Sequence, residues 1–252
     1  YEGENFPGTR HILQTAGSGI IMLVGGTGLV AWAVQYVSTG QAAIMIATEP
    51  FWFLLLDKKN WRVNFTGKYT LIGLVIGFTG IVLFFLWNHA VPGKDSQDLH
   101  FTASLVLLGS AVAWVVGSLF AKNYPSPGST FMNAGIQLFS AGICISLVAL
   151  FTGEWRNFSI VEVPVTAWAG LLFLITFGSV VAYVSYVWLL SVRSPALVST
   201  HTYVNPVVAV LLGWLFINET ISGLQVLAMF IILVGVLLTN LRNYRKPVAE
   251  RS

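Results

Sequence analysis

Long apolar runs constrain this chain more than any other feature. Runs of about 18 or more mostly apolar residues are long enough to cross a membrane as helices. Soluble domains carry about 25% charged residues, whereas this chain carries 9%. The sequence therefore predicts an all-α integral membrane protein with eight transmembrane helices, and the expected segments are 12–36, 41–57, 67–88, 101–121, 130–152, 165–190, 196–217 and 223–241.

The basic residues indicate how the helices are threaded. With the N-terminus in the cytoplasm, Lys94 and Arg156 fall outside, and the other 11 of the 13 Lys and Arg residues fall inside. Cytoplasmic loops of membrane proteins carry such an excess of positive charge. We therefore expect both termini to be cytoplasmic. The net charge of +3 is small and lies in loops, so no nucleic-acid partner is expected.

The first and last thirds of the chain resemble each other. A shift of 156 positions brings Trp32 onto Trp188 and Glu49-Pro50 onto Asn205-Pro206. In the predicted threading, segment 12–36 starts inside and segment 165–190 starts outside. Two copies of opposite orientation are the signature of secondary transporters, whose sites lie near the midplane between the repeats.

Small residues recur four positions apart in two segments. Gly73 and Gly77 form a GxxxG pattern, and Gly109, Ala113 and Gly117 repeat the spacing. Such spacing lets helix backbones approach closely. It predicts packing and says nothing about chemistry.

Several motifs resemble one known family. SPALVSTHTYVNPVVAVLLGWLFINETISG (194–223), GSVVAYVSYVWLL (178–190) and GSAVAWVVGSLFAK (109–122) are similar to the EamA family of the drug/metabolite transporter superfamily. The resemblance implies two inverted repeats of five helices, with both termini in the cytoplasm. This chain resembles helices three to ten of the ten. It would then be either a fragment or a shortened form.

The resemblance also divides the chain. Residues 1–88 would be the remainder of the first repeat, 101–242 the second repeat and 243–252 a cytoplasmic tail. The chain departs from the family's pattern at Glu49. Many relatives carry an apolar residue at this position, directly before the proline.

Glu49 is the residue that raises the sharpest question about function. It lies within IMIATEPFWFLLL (44–56), and a carboxylate at bilayer depth costs about 2.5–3.5 kcal/mol even on lenient scales. One hypothesis is that Glu49 lines the central pathway, where it binds an amino or cationic group or carries a proton. The other is that it bonds a neighbouring helix and holds a kink at Pro50.

Amides, aromatic rings and one histidine lie at membrane depth in other segments. Rings offer apolar and cation–π contact, and amides fix orientation. Each is individually more typical of a structural role, but together they suit a pathway for small amphipathic solutes. Besides Glu49, the expected substrate-binding residues are Trp32, Gln35, Trp114, Asn133, Gln137, Tyr183, His201, Tyr203 and Asn205.

The leading function is a secondary active transporter of the inner membrane. The resemblance implies export of amino-acid-like metabolites or drug-like solutes by alternating access, and proton coupling is one option. The alternatives are a non-transporting scaffold or receptor and an inactive fragment. No Walker A, HExxH or GxSxG motif occurs and the four histidines are scattered, so an enzyme is not expected.

The expected partners follow from the same interpretation. They are the lipid bilayer and a small-molecule substrate, and a homodimer is left open. No cofactor and no metal are expected.

Overall fold

The computed structural model describes residues 7–37, 39–86, 97–154, 159–205, 208 and 223–244. The chain forms two compact units. Unit 1 comprises Tyr1–Gly28 and Val116–Arg193, and unit 2 comprises Leu29–Val115 and Ser194–Ser252. Each unit therefore takes residues from both sequence repeats. The division into repeats at 1–88 and 101–242 concerns sequence similarity and stays a prediction.

The described parts of the chain are helical, as predicted for an all-α membrane protein. The α-helices are α1 (Thr9–Gly19), α2 (Leu29–Ala33), α3 (Thr39–Ile46), α4 (Glu49–Leu56), α5 (Trp61–Thr66), α6 (Lys68–Leu86), α7 (Gln97–Asn123), α8 (Thr130–Thr152), α9 (Val165–Phe173), α10 (Val184–Val192), α11 (Pro195–Val198) and α12 (Gly223–Tyr244). Two π-helical stretches, π1 (Ile20–Gly28) and π2 (Leu174–Tyr183), and a short 3₁₀ turn (Lys58–Asn60) complete the elements.

Four helical stretches are long and apolar enough to cross a membrane, namely Thr9–Ala33, Phe101–Asn123, Thr130–Thr152 and Val165–Val192. Two shorter apolar helices, Lys68–Leu83 and Val226–Thr239, match two more of the predicted segments. The fifth segment was expected at 130–152, and α8 has these same bounds. Most of the polar loop at 88–100 and the end of the seventh segment, 209–217, lie outside the described residues.

The ends of α8 show why this segment is so well defined. The Ser129 hydroxyl accepts a hydrogen bond from the Met132 amide at 3.2 Å, which caps the helix N-terminus. Gly153 follows the last turn with φ of 79°, a left-handed conformation that glycine adopts without a steric penalty. The capping serine and the terminal glycine therefore directly flank the apolar run in the sequence.

The second predicted segment differs from a single helix. It consists of α3 and α4, which are separated by a turn at Ala47 and Thr48. The Thr48 hydroxyl donates to the Met45 carbonyl at 2.6 Å and accepts from the Trp52 indole at 3.1 Å. Pro50 lies in the first turn of α4, where its missing amide is tolerated. The interruption therefore precedes the proline, and Thr48 satisfies polar groups at the break.

The two π-helical stretches occupy corresponding places in the sequence repeat. Shifting π1 by 156 positions gives 176–184, which overlaps π2 over most of its length. A π-helix shifts the hydrogen-bonding partner by one residue and frequently marks a functional site. The same deviation in two corresponding helices agrees with the internal repeat.

Unit 2 is organised around the contact between α6 and α12. Leu74, Ile81 and Ile232 are fully buried in its apolar core. An ideal Cβ on Gly235 would lie 2.5 Å from the Gly77 Cα and 2.7 Å from the Gly73 carbonyl oxygen. The GxxxG pattern thus marks a close helix contact, as expected, whereas Gly109 has no described heavy atom within 4 Å of its ideal Cβ.

Unit 1 is organised around α1, π1, α8 and α10. An ideal Cβ on Gly19 would lie 2.5 Å from the Gln137 Cα, so α1 and α8 approach closely there. The span Val165–Val192 has no buried residue in its most apolar window. Large exposed apolar side chains, such as Leu172 and Phe173, are what a lipid-facing surface requires.

We predict that Gly235→Ala weakens unit 2. Its Cβ would overlap the backbone of Gly77, and overpacking of this kind costs about 1–3 kcal/mol. The melting temperature of the purified protein in detergent should therefore fall. Gly109→Ala is the matched control and should leave melting unchanged or raise it, because alanine is the better helix former. Equal melting of both variants would contradict the close α6–α12 contact.

Candidate functional site

Glu49 begins α4, directly after the break in the second segment. Its side chain is 5% exposed, and its Oε2 atom is buried without a hydrogen-bond partner among the described residues. Asp57, the other buried carboxylate among the described residues of unit 2, differs in this respect because both of its oxygens accept bonds from the Asn60 amide, at 3.1 and 2.9 Å. Glu49 is thus a buried acid with spare acceptor capacity.

The position of Glu49 suits a group that binds or exchanges a cation. The N-terminus of a helix carries a partial positive charge, which favours a carboxylate in the first turn. Interrupted membrane helices in transporters place such termini and unpaired backbone groups at solute or ion sites. The proton role and the packing role of Glu49 both stay predictions.

A second polar cluster lies in unit 1 and joins three helical elements. The Tyr183 hydroxyl donates to Gln137 Oε1 at 3.0 Å, and Gln137 Nε2 donates to the Ser18 hydroxyl at 2.8 Å. Ser18 in turn donates to the Thr15 carbonyl at 2.7 Å. Gln137 is 2% exposed, and the chain of bonds uses both ends of its amide. We call Ser18, Gln137 and Tyr183 the polar relay.

The polar relay borders a cavity of about 330 Å³ within unit 1. Asn133 and Gln137 of α8 line it together with Ser18, and Lys122 and Ser191 line it from the ends of α7 and α10. Asn133 donates to the Gly128 carbonyl at 3.0 Å, while its Oδ1 atom is buried without a partner in the described part of the chain. Three expected substrate-binding residues, Asn133, Gln137 and Tyr183, therefore belong to one region.

The remaining expected residues belong to unit 2 and have varied surroundings. The Trp32 ring contacts the Tyr36 ring with centroids 4.9 Å apart and the ring planes tilted by 51°, and Gln35 is exposed. His201 and Asn205 are exposed and Trp114 is half-buried. Tyr203 is fully buried in the apolar core, and its hydroxyl lies 3.4 Å from the Leu74 carbonyl. A place for these side chains in a solute pathway stays a prediction.

Sequence reasoning missed three polar residues of unit 1. Ser18 completes the relay, Ser118 shares a 2.8 Å hydrogen bond with Tyr186, and the Lys122 ammonium donates to the Ser191 carbonyl at 2.7 Å. Serine is common at helix contacts in membranes, so no sequence signal separated Ser18 and Ser118 from packing residues. In the sequence, Lys122 was interpreted only as one of the basic residues that indicate which loops are cytoplasmic.

No metal site is evident in the described ranges, where no group of three or more His, Cys, Asp and Glu side chains comes together. The chemistry available among the described residues is hydrogen bonding, aromatic contact and the buried carboxylates of Glu49 and Asp57. Long apolar helical spans that enclose buried polar side chains define the class, which is a polytopic α-helical membrane protein.

The family follows from comparison with known proteins. Residues 1–86 and 101–241 match the EamA-like transporter family. The chain belongs to this family.

Two bacterial relatives carry names that mention transport. The chain is 32% identical over 247 residues to "Uncharacterized inner membrane transporter YedA" of Escherichia coli (strain K12), covering 97% of this chain and 76% of the relative. It is 23% identical over 239 residues to "Uncharacterized transporter YoaV" of Bacillus subtilis (strain 168), covering 91% of this chain and 76% of that one.

Two further matches extend the comparison. "Protein PecM" of Dickeya dadantii (strain 3937) is 28% identical over 186 residues, which cover 72% of this chain and 59% of that protein. A protein of known crystal structure superimposes with a TM-score of 0.73 at 18% identity, covering 95% of this chain and 82% of the other. At that identity the likeness shows the fold alone.

We predict that the polar relay stabilises unit 1 cooperatively. Gln137→Leu removes the relay bonds of both Tyr183 and Ser18, and the loss of one such hydrogen bond costs about 0.5–1.5 kcal/mol. In a double-mutant cycle with Tyr183→Phe, the coupling energy from unfolding in detergent should be about 0.5–2 kcal/mol.

Tyr124→Phe is the control for this cycle. Tyr124 lines the same cavity and is 52% exposed, so its hydroxyl should contribute little. Strictly additive effects of Gln137→Leu and Tyr183→Phe would show that the relay does not act as a unit.

Proposed function

We propose that this protein is a secondary transporter that moves small organic solutes across the bacterial inner membrane by alternating access. The observation that carries the proposal is Glu49, a carboxylate that is 5% exposed, with one unpartnered oxygen among the described residues, at the break of an apolar segment. A buried acid of this kind in a membrane protein is costly and is typical of ion and substrate pathways.

The comparisons support transport as the general activity. The names of YedA and YoaV describe them as transporters, and that of YedA adds the inner membrane. The irregular stretches π1, π2 and the break at Ala47 and Thr48 are local weak points of the kind that hinge motions use. Within the described residues, we find no feature that favours the scaffold alternative.

The solute class is proposed from the polar and aromatic side chains. Amides at Asn133 and Gln137 and the ring of Trp32 suit small amphipathic solutes, such as amino-acid-like metabolites or drug-like compounds. We propose export as the direction and, from the basic residues, cytoplasmic termini.

We further propose that Glu49 responds to protons. A carboxylate that alternates between a neutral and a charged form changes which solute or helix arrangement it favours. Low pH would favour the neutral form and high pH the charged form, so a pH gradient across the membrane would drive the solute. The competing role, a carboxylate that only holds the break before α4, predicts no such response.

The test is solute flux in liposomes. The protein would be reconstituted, and accumulation of labelled amino acids and cationic drugs followed with and without a gradient of about one pH unit. One proton per solute could then drive at most about a tenfold concentration ratio. We expect Glu49→Gln to exchange solute across the membrane but to lose this gradient-driven accumulation.

Glu162→Gln is the matched control, because Glu162 is an exposed carboxylate outside the helices. It should keep the response of the unaltered protein. A pH response that survives Glu49→Gln would remove the proton role, and an absence of exchange for every solute tested would count against transport itself.

A further inference from the structure

The cavity of unit 1 has a positive charge on its wall, and the general activity of transport does not explain that charge. Among the described residues that line it, Lys122 is the one that carries a full charge. Lys122 lies in the last turn of α7, and its ammonium donates to the Ser191 carbonyl at 2.7 Å, close to the end of α10. This bond holds a positive charge at the cavity wall, and the sign of that charge favours an anion.

Other groups along the wall add to the same preference. The cavity borders the first turn of α8, a helix of 23 residues, and a helix N-terminus carries a partial positive charge. Thr15, Ser126 and Thr130 also line the cavity, and hydroxyl groups of this kind can donate to an anionic oxygen.

Two polar atoms of the wall indicate that the cavity receives a polar occupant. Ser126 Oγ and Asn133 Oδ1 are buried without hydrogen-bond partners among the described residues. Leaving a buried polar atom unsatisfied costs free energy. Ser126 can donate to an oxyanion, and Asn133 Oδ1 can accept from a hydroxyl or N–H group of the same solute.

We propose that this cavity is a binding site for the oxyanion of a small solute, a carboxylate or a phosphate, with Lys122 as its charged contact. A volume of about 330 Å³ lies at the lower end of the range for ligand sites, so the solute is small. In the proposed threading the cavity opens near the cytoplasmic side. The proposal does not require proton coupling at Glu49.

The ordinary role of such a lysine is to reach out of the membrane toward water. That role needs no cavity, no unsatisfied hydroxyl and no bond to the end of α10. It also predicts that the cavity discriminates little between anions and cations. The two roles therefore differ in a measurable property, the electrostatic potential inside the cavity.

The first experiment measures this potential with a thiol. Cys144 is the one cysteine of the chain, so Cys144→Ala supplies a background for Ser191→Cys, whose side chain lines the cavity and is exposed. The modification rates by an anionic sulfonatoethyl and a cationic trimethylammonioethyl methanethiosulfonate would be compared in the intact reconstituted protein. Taking the ratio of the two rates cancels any change in thiolate content.

We expect the ratio of the anionic to the cationic modification rate to be higher for Ser191→Cys than for a free thiol in solution. Lys122→Met should lower the ratio by about fivefold or more, whereas Lys122→Arg should keep it. Lys58→Met removes an exposed lysine of unit 2 and is the matched control. A ratio unaffected by Lys122→Met, in a protein that melts as the unaltered one does, would overturn the proposal.

The second experiment leaves Lys122 in place and so does not depend on a folded variant. Benzoate, benzamide and benzylammonium are close in size but carry negative, zero and positive charge. Benzoate or inorganic phosphate should slow modification of Ser191→Cys saturably, while benzamide and benzylammonium should not. Equal protection of the thiol by all the probes would overturn the oxyanion site. So would the absence of protection by any probe in vesicles of every lipid composition tested.

The same protection experiment distinguishes which kind of molecule supplies the oxyanion. Protection by benzoate alone assigns a carboxylate, and protection by phosphate alone assigns a phosphate. Protection that requires phosphatidylglycerol in otherwise phosphatidylcholine vesicles assigns a lipid headgroup. Because protection is read without any flux, an intact site in a protein that moves no solute would count against transport only.

Discussion

The hydrocarbon interior of a membrane offers no water to the backbone, and the rest of this structure depends on that constraint. Every amide and carbonyl inside the bilayer must find a partner within the protein, so the apolar segments become helices. Departures from the α-helix need compensation at the same place. At the break before α4, the Thr48 hydroxyl both donates to Met45 and accepts from Trp52.

The same constraint explains where the polar side chains of the protein are found. Gln137 is almost fully buried, yet both ends of its amide are bonded, to Tyr183 and to Ser18. Glu49 Oε2 and Asn133 Oδ1, by contrast, are buried without a hydrogen-bond partner in the described part of the chain. Folding alone would favour bonded or apolar side chains at these positions, which is why they are the strongest candidates for function.

Close helix contact supplies the second element of the architecture. In a membrane, association relies on packing and on hydrogen bonds between helices, because lipid is as apolar as the side chains. Gly77 and Gly235 allow the backbones of α6 and α12 to touch in unit 2, and Gly19 does the same for α1 and α8 in unit 1. The small residues thus form the rigid contacts, while π1 and π2 provide irregular stretches in corresponding helices.

The sequence by itself determined the helical class, most helix bounds and the membrane environment, because apolar length and helix-ending residues are local properties. The bounds of α8 agree with the apolar segment predicted at 130–152, whereas the break at Ala47 and Thr48 was not predicted, because the sequence suggested a kink at Pro50. Among candidate residues, Glu49 stood out from its surroundings in the chain alone. Only the tertiary structure joined Ser18, Gln137 and Tyr183 and brought Lys122 to the wall of a cavity, because these partners are up to 119 residues apart and a hydrogen bond depends on the distance in space.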